Sequence, residues 1–130
     1  MHAINGEQRV FLYPFQTTIS MTTEAIHAKK DQGHLWRTLI WNVVGNIVWF
    51  FPLGFLLPWE IRKARKLRNL AGMAFLLSLM AETLQYIFEV GIFDIDDIIW
   101  NTFGALLGFS IFHFLKAKPR LRSPRFFIKQ

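Results

Sequence analysis

Residues 38–58 (TLIWNVVGNIVWFFPLGFLLP) run for 21 positions without a charged side chain, and no other feature narrows what this chain can fold into as much. At about 1.5 Å rise per residue, a helix of that length crosses a hydrocarbon core of about 30 Å. Residues 70–90 (LAGMAFLLSLMAETLQYIFEV) repeat the pattern with Glu82 and Glu89 as their only charges, and residues 98–115 (IIWNTFGALLGFSIFHFL) add a shorter stretch with none. The helices of a water-soluble bundle carry a polar face with several charges every two turns. These segments lack that face. The expected fold is all-α, an integral membrane bundle of three transmembrane helices at about 38–58, 70–90 and 98–115.

Charge enters the argument through its position. The net charge of +6 and a pI near 10.1 are formally compatible with a nucleic-acid-binding domain. Yet eleven of the fifteen basic residues fall in two short runs: Arg62, Lys63, Arg65, Lys66 and Arg68, then Lys116, Lys118, Arg120, Arg122, Arg125 and Lys129. The first run has no interleaved aromatic residues and the second lies in a tail of only fifteen residues, so no nucleic-acid partner is expected. The bilayer is the expected partner, with each Lys or Arg near an anionic leaflet contributing about 1 kcal/mol. Short basic loops stay on the cytoplasmic side, and two spans separate the runs, so both runs can lie inside. The expected organisation is a non-cytoplasmic N-terminal segment (1–37), a transmembrane domain (38–115) and a basic cytoplasmic tail (116–130).

Residues 1–35 lack the basic start and continuous apolar core of a signal peptide. They read as a loop: VFLYPF is interrupted by Pro14, and EAIHAKKDQGH has the composition for one or two amphipathic turns at the membrane surface. The chain contains no cysteine, which excludes disulfides, Cys-based zinc sites and a thiolate nucleophile.

An ionisable group inside a bilayer needs a partner or a function. Glu82, Gln85 and Glu89 are spaced i, i+3, i+7, which on a continuous helix is one face. Ala71, Ala74, Ser78 and Ala81 extend that face as a stripe of small residues, and Asn101, Gly104, Ala105 and Gly108 form a comparable face in the third span. Such faces favour close helix packing, so direct packing of the second span on the third is expected. Asn42 and Asn46 share a face of the first span. Together with Asp94, Asp96 and Asp97 these residues predict a polar cluster lined by three helices and open to the outer side. Asp96 or Asp97 is expected to cap the third helix, and the asparagines serve at least as interhelical hydrogen-bond glue. A carboxyl as deep as Glu82 must be protonated, hydrogen-bonded or hydrated.

Hard cations favour carboxylate oxygens, but no complete metal loop is present, and neither a metal nor a cofactor is expected. Asp96-Asp97 is followed by Ile98-Ile99-Trp100, which departs from the prenyl-diphosphate DDxxD pattern; no P-loop or Gly-rich dinucleotide turn occurs. Ser78 and Ser110 have no base nearby in sequence, and His113 reads as interfacial. Several of the five tryptophans lie near proposed span ends, as an aromatic belt requires. Pro52 and Pro58, with Gly54 between them, are expected to kink or end the first helix.

Asn46 with FFPLGFLLP (50–58), Glu82 and Gln85 in ETLQ, and above all FDIDDIIWNTFGALLGF (93–109) resemble the VanZ-like membrane proteins. YPF at 13–15 resembles the segment that follows the first membrane span of that family. On the resemblance, the recurring polar positions map to Asn46, Glu82, Gln85, Asp94, Asp97 and Asn101, with Pro52, Gly54, Gly104 and Gly108 as structural positions. Two departures stand out. Many relatives place a further span before the YPF-like segment, where this chain has twelve residues, so the chain is expected to lack that first span. Some relatives also carry a basic residue near position 92, here Ile92.

The resemblance implies a multi-pass bacterial cytoplasmic-membrane protein of the type linked to teicoplanin-class glycopeptide resistance, acting at the outer face where lipid-linked cell-wall precursors are exposed. A lipid-linked precursor or the glycopeptide itself is the implied ligand. A non-enzymatic envelope factor is the preferred reading. The alternatives are a membrane enzyme modifying a lipid-linked substrate, with Glu82 as general acid or base, and a small transporter or proton relay, which three helices achieve only as an oligomer.

Overall fold

A computed structural model describes residues 10–28 and 32–117. A two-residue strand β1 (Val10–Phe11) is followed by helix α1 (Gln16–His27), the long helix α2 (Gln32–Glu60), a 3-10 turn (Arg62–Arg65), helix α3 (Leu67–Ile87), a second short strand β2 (Phe93–Asp94) and helix α4 (Ile95–Ala117). The all-α reading holds: α2, α3 and α4 are each long and apolar enough to cross a membrane. Their outward surface is apolar, with Trp41 71%, Leu76 64% and Phe114 62% exposed. That surface is matched to lipid and mismatched to water. The basic tail beyond residue 117 lies outside the described residues, but Lys116 places its ammonium 5.2 Å from the Phe112 ring centroid.

The element bounds differ from the expected spans for local reasons. Helix α2 starts six residues before 38, and it runs through both Pro52 and Pro58 to Glu60 instead of ending at the prolines. Each proline removes one intrahelical N–H donor. The Pro58 carbonyl, in the last turn of the helix, accepts the Arg65 Nε–H at 2.9 Å. Helix α3 ends at Ile87, three residues short of the expected bound. Glu89 adopts a left-handed φ of 55°. The Glu89 N–H then bonds to the Tyr86 carbonyl and the Val90 N–H to the Gln85 carbonyl, the paired pattern of a Schellman stop. Glycine is the usual residue at that position, and a glutamate there hides the stop from the sequence. Glu89 therefore does not continue the helical face of Glu82 and Gln85.

The segment expected as a loop contains α1, twelve residues long. Its N-terminus is capped by a residue from the other end of the chain. Asp96 Oδ1 accepts the Phe15 N–H, while Oδ2 accepts the Thr18 N–H at 2.8 Å and the Thr18 hydroxyl at 2.9 Å. Phe15 itself sits at φ 62°, a conformation costing an L-residue roughly 1–2 kcal/mol. Its ring meets Trp100 edge-on at 6.2 Å, and the Trp100 Nε1–H donates to the Thr18 hydroxyl oxygen at 3.3 Å. The parallel pairing of Val10 with Phe93 and of Phe11 with Asp94 adds a second tie to the same connection.

Helix α4 is central. Its broadest interface is with α2, its second with α3, and α2 and α3 barely meet. The glycine face of α4 therefore packs on α2, not on α3 as the small-residue stripes suggested. A Cβ at Gly104 would overlap the Ile47 backbone and one at Gly108 the Phe51 carbonyl; reciprocally, one at Gly54 would overlap the Ala105 carbonyl. The glycines of both helices thus let two backbones touch. Helix α3 contributes a buried i, i+4 row, Leu70, Ala74, Ser78 and Glu82, to its own contact with α4.

Candidate functional site

Helix α2 packs against α4 through glycines, α3 packs on α4 as well, and all three turn polar side chains toward one another. The result is a cavity of about 340 Å³ lined by Asn46, Trp49 and Phe50 of α2, Ala81, Glu82 and Gln85 of α3, and Asp97 and Asn101 of α4. Of the polar residues singled out in the sequence, Asn46, Glu82, Gln85, Asp97 and Asn101 thus face one space contributed by all three long helices. No Lys, Arg or His is among the lining residues.

Each polar side chain is held by its helix position and by a specific bond. Asn46 Nδ2 donates to Asp97 Oδ1 at 2.6 Å, joining α2 to α4. Asn101 Nδ2 donates to Ser78 Oγ at 2.8 Å, joining α4 to α3 within a buried contact. The Asp94 N–H lies 3.3 Å from Glu82 Oε2, so the last turn of α3 grips the start of α4. Gln85 packs beside Gly91, where a Cβ would come within 3.1 Å of Gln85 Oε1. Asn101 is 5% exposed, and its Oδ1 is buried without a partner among the described residues. A carbonyl oxygen in that state is an open hydrogen-bond demand.

Asp94, Asp96 and Asn42 do different work. Asp94 caps α4: its Oδ1 accepts the Asp96 N–H at 2.9 Å. The expected caps, Asp96 and Asp97, lie inside the first turn of α4, past the cap position. Asp96, 2% exposed, is spent on the N-terminus of α1, and Asp97 turns into the cavity. Asn42 lies one turn from Asn46 but points elsewhere, with its Nδ2 3.8 Å from Met21 Sδ of α1. The acidic run Asp94, Asp96, Asp97 therefore serves three separate purposes, and among the described residues no three His, Asp or Glu side chains converge as metal ligands would.

Sequence reasoning missed Trp49 and Phe50 as cavity walls and Ser78 as the anchor of Asn101. The spacing of Asn46 and Trp49, i and i+3, was the available signal for the first. The two faces expected to pack hold Ser78 and Asn101, but spacing along each helix does not pair those two side chains across 23 positions. Trp100 faces α1 and Trp59 lies edge-on to Phe112 at 5.4 Å, so both are packing residues.

The arrangement can be compared with known proteins. The profile of the VanZ/LLP1 family matches residues 2–116. The chain belongs to the VanZ/LLP1 family. Among relatives of this family, Protein VanZ of Enterococcus faecium is 36% identical over 71 residues, which cover 55% of this chain and 44% of that protein. The chain thus spans under half the length of that VanZ relative. No solved structure matches it. The VanZ/LLP1 match covers every helix described above, including α1 and the whole of the cavity.

Proposed function

We propose that this VanZ/LLP1 protein is a multi-pass protein of the bacterial cytoplasmic membrane, with its C-terminus inside, and that it acts in the envelope as a binding factor without catalysing a reaction. In this reading the cavity faces outward and holds the polar headgroup of a lipid-linked envelope component. Occupying or displacing that component alters how a glycopeptide of the teicoplanin type reaches, or stays at, the outer face. The observation that carries the reading is the cavity: Glu82, Gln85, Asn46, Asp97 and Asn101 line a space inside a bundle whose outer surface is apolar. Polar groups at membrane depth are retained for a partner or a pathway. The orientation is supported by the five basic residues between α2 and α3. The kinship with Protein VanZ of Enterococcus faecium supports the envelope role.

The test is teicoplanin sensitivity of a susceptible bacterium expressing the chain. Glu82→Gln and Asp97→Asn are expected to lower protection to that of the empty vector at equal membrane abundance. Equal protection by both variants removes the cavity as the functional site. A second reading has one observation in its favour, that two carboxyls share one cavity, which is the minimum equipment for general acid–base chemistry on a lipid-linked substrate. Mass spectrometry of envelope lipids with and without the chain separates the two, because a binding factor leaves the lipid species unchanged.

A further inference from the structure

Among the described residues that line the cavity, the ionisable groups are of one kind only, the carboxyls of Glu82 and Asp97. One N–H of the Asn46 amide is engaged on Asp97 Oδ1 and one of the Asn101 amide on Ser78 Oγ. Glu82 Oε2 receives the Asp94 N–H at 3.3 Å. What remains on Glu82, Asp97 and Asn101 is one acceptor oxygen each, without a partner among the described residues: Glu82 Oε1, Asp97 Oδ2 and the buried Asn101 Oδ1. Two of the three belong to carboxyls, and no basic side chain is among the described residues that line the space.

We infer that the cavity selects a primary ammonium group, whose three N–H donors answer the acceptor oxygens of Glu82, Asp97 and Asn101. The inference rests on the reading of the cavity as a headgroup site and specifies the headgroup's chemistry. An anionic headgroup would bring its charge against two carboxyls with no cation among the described lining residues to mediate. A neutral polyol would satisfy the acceptors but bring no positive charge to two carboxyls in a low-dielectric setting, where an ionised group is costly unless paired. An ammonium supplies both donors and charge. Trp49, 81% exposed at the cavity wall, adds an aromatic face of the kind that attracts cations. The ammonium comes either from a lipid headgroup of the ethanolamine class or from a soluble amine, and the experiment separates the two.

The full chain, purified in detergent micelles, is mixed with equal amounts of phosphatidylethanolamine, phosphatidylcholine and phosphatidylglycerol of identical acyl chains, and retained lipid is read by native mass spectrometry. Phosphatidylethanolamine is expected to be retained about tenfold over either competitor, the scale of one charge-assisted hydrogen bond. The choline lipid keeps the positive charge but has no N–H, so its loss isolates the donors. Glu82→Gln and Asp97→Asn are each expected to reduce phosphatidylethanolamine retention about tenfold, with helicity checked by circular dichroism. Equal or greater retention of phosphatidylglycerol by the unaltered chain overturns the inference without reference to any variant. If the variants lose all three lipids alike, the cavity remains a headgroup site and the ammonium assignment fails. If no lipid's retention responds to the variants, the headgroup reading fails as well. Displacement of the retained lipid by millimolar free ethanolamine identifies the amine alone as sufficient; resistance to it identifies the lipid as the source.

Discussion

Helix α4 meets its two neighbours in opposite ways. Toward α2, Gly104 and Gly108 bring backbone against backbone, with Gly54 reciprocating from the other helix. Toward α3, the contact is made by side chains and is partly polar, with Ser78 and Asn101 hydrogen-bonded at its centre and Glu82 above them. The glycine seam leaves no room for anything else. At the level of Asn46, Asp97 and Glu82, where no glycine draws the helices together, the cavity opens. One seam fixes the bundle, and the site lies beside the other. In lipid, where helices gain little by hiding apolar surface from water, dispersion and close approach carry the first seam and hydrogen bonds the second.

The largest expected effect breaks the glycine seam. Gly54→Ala puts a methyl into the Ala105 backbone, and neither backbone can move without separating α2 from α4. A loss of about 3 kcal/mol, the upper part of the usual overpacking range, is expected in reversible unfolding from mixed micelles. A loss under about 1 kcal/mol would mean that the two helices are not in backbone contact.

The second effect falls on the tie between α4 and α1. Asp96→Ala removes three hydrogen bonds from the start of α1, leaving Phe15 in a costly conformation held by its ring contact with Trp100 and by the Ile19 N–H on its carbonyl. About 2 kcal/mol of local stability is expected to disappear, read as faster hydrogen exchange at the Phe15 and Thr18 amides while α2 and α4 stay protected. Unchanged exchange at those two amides would show that α1 is held by other contacts.

Breaking the polar seam is expected to cost less. Asn101→Ala removes the bond to Ser78 but also an unpartnered buried carbonyl, so the global loss should be about 1 kcal/mol or below. A loss equal to that of Gly54→Ala would erase the distinction between the seams. The smallest effect is expected at Gly72, where an added Cβ meets nothing within 4 Å. Gly72→Ala should be neutral or stabilising by up to about 1 kcal/mol through helix propensity, which makes it the control for the glycine seam in the same unfolding measurement.

Much of the site was legible because helical spacing converts directly into faces. Asn46, Glu82, Gln85, Asp97 and Asn101 are uncommon residue types in apolar helices, and each had to turn toward protein or water. Asn42 and Glu89 were misassigned by the same logic. For Asn42, the spacing gave a shared face with Asn46, but α1, read as a loop, turned out to be a helix lying against it. For Glu89, the face presumed a helix that continues, and a left-handed residue ended it two positions earlier. The acidic run was legible as a group and not as individuals, since Asp94, Asp96 and Asp97 differ only in direction, and direction depends on what each meets.

The sequence by itself determined that three apolar helices cross a membrane-sized distance, that α4 carries a glycine face, and that a few polar residues lie at comparable depth. Those properties follow from composition and periodicity along one helix at a time. Only the tertiary structure decided that the glycines of α4 face α2 and not α3, that Asp96 caps a helix beginning 80 residues before it, and that Asn101 is left with an unmet oxygen. The physical reason is common to all three. A helix's sequence specifies which surface it offers, whereas the partner for that surface is chosen by shape and hydrogen-bond fit between segments far apart in the chain.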